Sequence, residues 1–287
     1  MTNKMTTYGL IGYPLGHSLS PLMHNAAFEA LGVEATYELF PLKEDELDAF
    51  FHDLKKEDSP IFGLNVTVPY KEKVIKYLDS MSPYAQKVSA VNTIVISEDR
   101  KLKGYNTDGP GFLAHLTELK FPTHDKRVAL LGAGGAARAV LSALCMIPER
   151  PSQIKIFDIE PEKAEHLVVD LKKSMNCDIV EAVSSIDDLN VELADLLINA
   201  TPVGMKATDI PLLDEEPLHA NLCVYDLVYN PAQTVLLKMA KKKGAKTSNG
   251  LGMLFYQGVL AFQHWAGVEL PENIKTKMKK ALNDGLK

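Results

Sequence analysis

Short apolar runs alternate along the first part of the chain with stretches whose apolar residues recur at a helical period. Residues 8–11, 36–40 and 61–66 have the composition of buried strands, and helical patterns separate them. In the first of these helices Ser20 is predicted to be the N-cap and Gly32 to end the last turn. Such alternation predicts a mostly parallel sheet covered by helices.

A second series of the same kind begins at Arg127, with strand candidates at 127–131, 154–158, 179–183, 195–199 and 222–226. Strands in this number, connected by helices, are typical of a dinucleotide-binding sheet. We therefore predict an α/β protein with two lobes. The first is a mostly parallel, substrate-binding catalytic domain at 1–107, to which the C-terminal helices of 252–287 return; the second is a Rossmann-like dinucleotide-binding domain at 108–251.

Composition and charge exclude several classes of protein. The chain has 287 residues, of which 46% are hydrophobic and 24% charged, and this is the range of globular proteins rather than disordered or fibrous ones. A formal charge of −6 without a broad basic region argues against nucleic-acid binding, and no apolar run is long enough for a membrane span. Cys145, Cys177 and Cys223 have no metal-ligand spacing, so we expect a reduced, metal-free, cytoplasmic protein.

A glycine-rich turn follows the first strand of the second series. Gly132, Gly134 and Ala137 form the pattern G-x-G-x-x-A between a strand and a helix. The first glycine permits the tight turn, the second lets the backbone approach a pyrophosphate, and the alanine lets helix and strand pack closely. Free N–H groups at the helix start favour an anion. We predict a dinucleotide site; the alternative is a turn that binds nothing.

Asp158 ends the next strand, where a carboxylate can accept hydrogen bonds from the ribose hydroxyls of a dinucleotide. Ile159 and Glu160 follow it, so that the 2′-phosphate of NADP would meet two carboxylates. Asp158 therefore favours NAD. The alternative is that Asp158 is a solvated turn residue or the N-cap of the helix at 161–175.

Polar residues of the first lobe have ordinary explanations when each is taken alone. Ser20 is a suitable helix cap, Lys71 lies in a charged segment typical of a solvated surface, and 106–108 can form a turn followed by a cap. Taken together, however, they favour a functional interpretation, because they belong to a set of seven motifs in a distinctive order. The motifs are GHSLSP at 16–21, NVTVPYK at 65–71, AVNT at 90–93, GYNTDG at 104–109, GAGGAA at 132–137, NATPVGM at 199–205 and GLGMLFYQ at 250–257.

This ordered set spans almost the whole chain and closely resembles the shikimate dehydrogenase family. The resemblance implies a two-lobe enzyme that interconverts 3-dehydroshikimate and shikimate with NAD or NADP, in chorismate and aromatic amino-acid biosynthesis. It implies that Lys71 is the catalytic lysine and Asp108 its carboxylate partner. The substrate-binding residues that it implies are Ser18, Ser20, Asn65, Thr67, Asn92, Tyr229 and Gln257. The cofactor-binding residues, together with Asp158, are Gly132, Ala133, Gly134, Gly135, Ala136, Thr201, Leu227, Gly250 and Met253.

Proton transfer during alcohol oxidation requires a side chain that can both accept and donate a proton, and a lysine can do this. Oxidising a secondary alcohol by hydride loss requires its hydroxyl proton to leave, and the reverse reaction requires a proton for the developing alkoxide. Lys71 can serve both directions if partial desolvation releases its proton, or it can act mainly as a cationic donor. The adjacent Asp108 favours the second role because a carboxylate stabilises the ammonium form.

One departure from the family pattern concerns the cofactor. NADP-using members have an Asn-Arg-Thr-like segment where this chain has Asp158, Ile159 and Glu160. NAD use leaves open a quinate/shikimate dehydrogenase of quinate catabolism, although Ser20 in place of a bulkier threonine favours shikimate. A further alternative, of another class, is a dinucleotide- or metabolite-sensing module without turnover. The sequence leaves a homodimer open.

Overall fold

The computed structural model of the chain describes residues 5–16, 18–206 and 208–286. The chain divides into two compact units, Met1–Gly111 with Phe255–Lys287 and Phe112–Leu254, which we call the first and the second unit. Their boundaries fall within helices, a few residues beyond the limits at 107 and 251 that the sequence suggests.

The first unit is built on one mixed sheet with the strand order β2-β1-β3-β5-β6-β4. β1 pairs in parallel with β2 and β3, and β5 and β6 form an antiparallel hairpin. Short 3-10 helices lie at Glu44–Glu46 and Lys73–Tyr77. In chain order the elements are β1 (Thr6–Gly12), α1 (Ser20–Leu31), β2 (Ala35–Pro41), α2 (Leu47–Leu54), β3 (Ile61–Val66), β4 (Ser80–Met81), α3 (Pro83–Val88), β5 (Thr93–Ile96), β6 (Leu102–Tyr105) and α4 (Asp108–Glu118).

Helix α1 differs from its prediction at one end. It ends at Gly32, whose left-handed φ of 65° lets its N–H reach the carbonyls of the last turn. At the other end Ser20 is already helical, Leu19 has the cap position, and no side chain caps the helix. The prediction that Ser20 is the N-cap is therefore wrong. Ser18 Oγ instead accepts the Ser20 N–H at 3.3 Å.

The second unit contains a parallel sheet with the strand order β12-β11-β10-β7-β8-β9. The order reverses between β7 and β10, and ligands of open α/β sheets bind at such a switch point, beyond the carboxyl ends of the strands. Its elements are β7 (Arg127–Leu131), α5 (Gly135–Met146), β8 (Gln153–Phe157), α6 (Pro161–Met175), β9 (Val180–Ala182), β10 (Leu196–Asn199), β11 (Cys223–Asp226), α7 (Val235–Lys242), β12 (Lys246–Asn249) and α8 (Leu251–Ala266), which continues into the first unit.

The central strands of this sheet are buried on both faces. In β7, Val128 and Leu130 belong to one apolar cluster, and Ala129 and Leu131 belong to the cluster on the other face. Helices cover such a sheet on both sides, which explains its continuous apolar runs. The predicted α/β fold with a Rossmann-like sheet is thus confirmed. The sequence analysis missed β12 because this edge strand consists of polar residues.

The last helices pack with the first unit. α9 (Glu272–Gly285) contacts α1 through a buried face that contains Ile274, Met278 and Leu282. Near the end of α8, Trp265 Nε1 donates a hydrogen bond to the Ile94 carbonyl at 3.0 Å. The predicted return of the C-terminal helices to the first lobe is therefore confirmed.

Two of the cysteines form a disulfide. Cys145 lies in α5 and Cys177 follows α6; their Cα atoms are 5.8 Å apart and 32 positions separate them in sequence. Cys223 is buried and free, and burial raises the pKa of its thiol to about 11. The expectation that all the cysteines are reduced is wrong, because the packing of two helices brings together residues that the sequence shows as distant.

The described helices and polar side chains show neither a membrane span nor a metal cluster. Within the part of the chain that the structure describes, no helix has the length and apolar character needed to cross a membrane. Over the same residues, no three His, Cys, Asp or Glu side chains are grouped so as to hold a metal ion.

Candidate functional site

Lys71 and Asp108 form an ion pair in the first unit. Lys71 Nζ lies 2.6 Å from Asp108 Oδ2, and the side chains are 16% and 8% exposed. Lys71 follows the turn after β3, and Asp108 begins α4, so two distant segments bring the pair together. A lysine that can donate a proton and a carboxylate that can orient it are thus adjacent in a largely buried position, where charge-assisted hydrogen bonds are strong.

Asn92 holds the same carboxylate through its other oxygen. Asn92 Nδ2 donates to Asp108 Oδ1 and to Thr107 Oγ1, both at 2.9 Å. The backbone N–H of Thr107 donates to Asn92 Oδ1 at 2.7 Å, which fixes the orientation of the amide. The resemblance implies that Asn92 hydrogen-bonds to a ring hydroxyl of the substrate. The structure directs its N–H groups at Asp108 and Thr107.

Gln257 is placed by a close approach of two helices within the first unit. A Cβ on Gly111 of α4 would lie 2.7 Å from the backbone nitrogen of Gln257 in α8, so a glycine is required there. Gln257 is 8% exposed, and its Oε1 lies 3.4 Å from Asn92 Nδ2. Three distant motifs therefore meet around Asp108.

The remaining first-unit residues lie at or just beyond the carboxyl ends of β1 and β3. Ser18 and Ser20 follow β1; the buried Asn65 lies within β3, and the half-buried Thr67 follows it. These strands are parallel neighbours, so their carboxyl ends share one edge of the sheet, where ligands of α/β proteins bind. His17, in the same motif as Ser18, lies outside the described residues.

The glycine turn of the second unit fits a pyrophosphate. Gly132 has a φ of 96°, and its Cβ would lie 2.9 Å from Thr201 Cγ2 across the switch point. Cβ atoms on Gly134 and Gly135 would meet nothing within 4 Å. Protein packing therefore does not require these two glycines, and they leave open space over the start of α5. No side chain caps this helix start, which leaves its N–H groups for an anion.

Asp158 contacts the same turn. It follows β8; its Oδ2 accepts the Ala133 N–H at 2.6 Å and its Oδ1 accepts the Glu160 N–H at 2.9 Å. The N-cap residue of α6 is Glu160, so the alternative that Asp158 caps this helix is excluded. The carboxylate stabilises the turn by accepting its Ala133 N–H. The sequence analysis did not predict this role.

Four further cofactor-binding residues that the resemblance implies follow the carboxyl ends of β10, β11 and β12. Thr201 comes after β10 and Leu227 after β11. A Cβ on Gly250 would collide with the Leu227 carbonyl oxygen, so only glycine permits this approach of the two loops. Met253, in the first turn of α8, is 9% exposed. Tyr229 is half-buried in the same unit, and burial raises its pKa.

Two residues that the sequence analysis did not assign connect these loops. The fully buried Asp226 ends β11 and accepts hydrogen bonds from Thr234 Oγ1, Asn199 Nδ2 and the Val228 N–H at 2.6, 2.9 and 3.0 Å. Burial raises the pKa of Asp226. Asn199 in turn accepts the N–H of Thr201 at 3.1 Å. The available signal was a carboxylate that ends an otherwise apolar strand.

A glycine turn at the switch point of a parallel sheet, together with a lysine–carboxylate pair in a separate α/β unit, defines a dinucleotide-dependent oxidoreductase. Comparison with known proteins narrows this class. Residues 10–94 match the family model described as the shikimate dehydrogenase substrate binding domain, and residues 250–282 match the shikimate 5′-dehydrogenase C-terminal domain. The shikimate dehydrogenase (NADP(+)) of Methanocaldococcus jannaschii is 44% identical over 284 residues, which cover 98% of this chain and 97% of that protein. The chain belongs to the shikimate dehydrogenase family.

Solved structures agree with this assignment. A shikimate dehydrogenase in complex with NADP+ superposes with a TM-score of 0.89 at 40% identity, covering 99% of this chain and 96% of that chain. A shikimate 5-dehydrogenase from Listeria monocytogenes, in complex with shikimate and NAD, gives 0.84 at 35% identity, with 96% and 97% covered. A quinate dehydrogenase from Corynebacterium glutamicum, in complex with NAD, gives 0.88 at 30% identity, with 97% and 99% covered.

Proposed function

We propose that this protein interconverts 3-dehydroshikimate and shikimate with a nicotinamide dinucleotide. The observation that carries the proposal is the Lys71–Asp108 ion pair of 2.6 Å in the first unit, part of which matches the substrate-binding domain of the family. A bound nicotinamide dinucleotide supplies the hydride acceptor for alcohol oxidation and the hydride donor for the reverse reaction.

Lys71 and Asp108 move the hydroxyl proton. In the reducing direction the Lys71 ammonium donates a proton to the oxygen that gains charge, and in the oxidising direction the neutral amine accepts the proton of the substrate hydroxyl. Asp108 orients Lys71 through the 2.6 Å hydrogen bond, and Asn92 holds Asp108.

The residues at the edge of the first sheet suit a polyhydroxy acid. The hydroxyls of Ser18 and Ser20 bind the substrate carboxylate, because serine can donate a hydrogen bond to an anion without adding charge. Asn65, Thr67 and Gln257 bind the ring hydroxyls, with Asn92 beside them. Tyr229 is a further residue that we assign to substrate binding. Ser20, smaller than threonine, favours shikimate over quinate.

The second unit binds the dinucleotide. The loop Gly132–Ala136 binds the pyrophosphate at the start of α5, and Thr201, Leu227, Gly250 and Met253 contact the nicotinamide portion. Asp158 accepts hydrogen bonds from the adenosine ribose and disfavours a 2′-phosphate, so NAD is the preferred cofactor. The nearby Lys163 pairs with Glu160 and is thus engaged by a carboxylate.

Initial rates test the proposal directly. Purified protein is assayed for nicotinamide reduction with shikimate and with quinate, each with NAD and with NADP. We expect shikimate to be the better substrate and NAD the better cofactor. The absence of turnover with every pair, in folded protein that still binds dinucleotide, would contradict an enzymatic function and support a sensing module. Faster quinate oxidation would assign the chain to quinate catabolism.

The cofactor preference is tested separately with Asp158→Asn. Asp158→Asn could loosen the glycine turn and so weaken the binding of both NAD and NADP. The informative quantity is therefore the ratio of kcat/KM for NAD to kcat/KM for NADP. We expect this ratio to fall by about tenfold, corresponding to ~1.4 kcal/mol. Glu165→Gln, at an exposed position of α6, is the control. An unchanged ratio in Asp158→Asn would assign Asp158 a purely structural role.

A further inference from the structure

Tyr37 in β2 has no role in the function described above, yet its hydroxyl lies between two expected substrate-binding residues. Its side chain is 2% exposed, and Oη donates a hydrogen bond to Asn65 Oδ1 at 2.8 Å. The Ser20 side chain lies beside the Tyr37 hydroxyl. One buried phenol therefore connects the residue that we assign to the substrate carboxylate with one that we assign to the ring.

The direction of these hydrogen bonds is determined by chemistry. Asn65 Nδ2 donates to the Asn92 carbonyl at 3.2 Å and to Thr93 Oγ1 at 3.1 Å. A carbonyl can only accept, so the amide of Asn65 has one orientation and its Oδ1 faces Tyr37. Tyr37 must then donate its single proton to Asn65. Burial raises the pKa of Tyr37, which keeps the phenol protonated.

Tyr37 is itself held firmly. The side chain of Asn25 in α1 accepts the Tyr37 N–H at 2.7 Å and donates to the Tyr37 carbonyl at 3.2 Å. The His24 ring stacks on the phenol with a centroid distance of 4.4 Å and an interplanar angle of 13°. Helix α1 therefore fixes both the backbone and the ring of Tyr37, and the Tyr37 hydroxyl holds Asn65 Oδ1 in the orientation that the Nδ2 contacts select.

We propose that Tyr37 is a positioning residue that makes Asn65 a hydrogen-bond acceptor, and only an acceptor, for the ligand. Both Asn65 N–H groups are used within the protein, and Oδ1 keeps a second lone pair. The group that it binds must therefore donate a proton. The reacting carbon carries a hydroxyl in one direction and a ketone in the other, and the ketone cannot donate. Asn65 thus selects a ring hydroxyl that remains a hydroxyl throughout the reaction; this inference rests on the proposed function.

The test compares Tyr37→Phe with a matched variant. Tyr37→Phe removes one oxygen, and we expect the KM for shikimate to rise roughly five- to tenfold, as for the loss of one hydrogen bond. We expect kcat to stay within about twofold and the KM for the dinucleotide to be unchanged, because the lost contact serves substrate binding alone. Tyr77→Phe is the control: its hydroxyl donates to Asp48 in the same unit, and its KM for shikimate should match that of the wild type.

A double-mutant cycle distinguishes positioning from general destabilisation. In an Asn65→Ala background, Tyr37→Phe should change the KM for shikimate by less than about twofold, because Tyr37 acts through Asn65. An equal rise in KM in both backgrounds, or a loss of kcat with KM unchanged, would overturn the inference. If Tyr37→Phe does not fold, Asn25→Ala replaces it; this variant loosens Tyr37 from α1 and should raise the same KM, and an unchanged KM would overturn the inference.

The wild-type protein distinguishes the two proposals. If it does not oxidise shikimate, the proposed function fails and the assignment of Tyr37 fails with it. If it oxidises shikimate and Tyr37→Phe behaves like Tyr77→Phe, only the assignment of Tyr37 fails.

Discussion

Lys71 is positioned by a small network rather than by its own surroundings alone. It donates to Asp108, whose other oxygen accepts from Asn92, whose amide is oriented by the Thr107 N–H. Each member has a single arrangement that satisfies its donors and acceptors. Replacing the lysine should therefore remove the proton carrier and leave the substrate-binding groups in place.

We expect Lys71→Ala to lower kcat for shikimate oxidation by roughly 10²- to 10⁴-fold, the usual contribution of a general acid–base group, with KM changed by less than about fivefold. Steady-state rates with saturating dinucleotide measure both constants. Lys73→Ala is the control, since Lys73 has a 42% exposed side chain that pairs with Glu44. A loss confined to KM would contradict a role for Lys71 in proton transfer.

His24 makes the stability of the first unit depend on pH. The imidazole is fully buried, and its nitrogens have no hydrogen-bond partner among the residues that the structure describes. Burial lowers the pKa of His24 to about 3. Between this value and the unfolded-state pKa of about 6.5, the unfolded chain binds a proton that the folded chain does not. The contribution of neutral His24 to stability is therefore complete above the upper value and decreases as the pH falls.

We expect the free energy of unfolding of the first unit to decrease by a few kcal/mol between pH 7 and pH 4, at about 1.4 kcal/mol per pKa unit. His24→Phe should flatten this dependence. The single tryptophan, Trp265, lies 5.1 Å from the His24 ring, so its fluorescence in urea titrations reports the relevant transition. His124→Gln, at a 65% exposed side chain, is the control. Equal pH dependence in His24→Phe and the wild type would refute this interpretation.

Helices α4 and α8 can approach closely because position 111 is a glycine, which has no side chain. Any Cβ on Gly111 meets the backbone of Gln257, which cannot rotate away, whereas a Cβ on Gly258 meets the end of the flexible Met23 side chain. Both glycines lie in helices that contribute to the first unit. The consequences of adding a methyl group should therefore differ between these two positions, although alanine has the better helix propensity at each.

We expect Gly111→Ala to raise the KM for shikimate by about tenfold or more, because α8 and Gln257 must shift, and to destabilise the protein by roughly 1–3 kcal/mol, as overpacking does. Gly258→Ala should have a clearly smaller effect on both quantities. Steady-state kinetics and urea unfolding of the two variants provide the comparison. If Gly258→Ala were the more damaging substitution, the helix contact would not be what places Gln257.

Elements with a strong local pattern were predictable from the sequence, and those that depend on neighbours were not. The apolar runs at β3 and β7 match their predicted limits, and Gly32 ends α1 as its left-handed conformation requires. The polar edge strand β12 gives no apolar signal. Ser20 has the residue type of a helix cap, and the sequence cannot reveal that its side chain lies beside Tyr37 of β2.

The candidate site shows the same distinction. The motifs give the residue types, including Lys71, Asp108 and the glycine turn, because chemistry restricts which residues can serve there. The connections between motifs depend on tertiary packing: Asp226 joins the loops after β10 and β11, and Asp158 braces the turn at Ala133. A carboxylate that ends an apolar strand is the only local indication of such a role.

At the scale of the whole molecule, the described residues contain one disulfide, and it crosslinks the second unit only. The disulfide between Cys145 and Cys177 lies entirely within the second unit and links α5 to the segment after α6. Both sulfurs are buried in the apolar cluster of that unit. A crosslink stabilises mainly by restricting the unfolded chain, and its contribution grows with the length of the closed loop.

For a sequence separation of 32, loop closure predicts a contribution of roughly 3–4 kcal/mol. We expect complete reduction to lower the free energy of unfolding of the second unit by about this amount, measured by circular dichroism in urea with and without dithiothreitol. The variant with both Cys145→Ala and Cys177→Ala controls for other effects of the reductant and should unfold identically in both buffers. Because Trp265 lies in the first unit, its fluorescence follows that unit and separates the two transitions. If mass spectrometry finds all three thiols free in protein purified without reductant, the crosslink does not form, and dithiothreitol should leave stability unchanged.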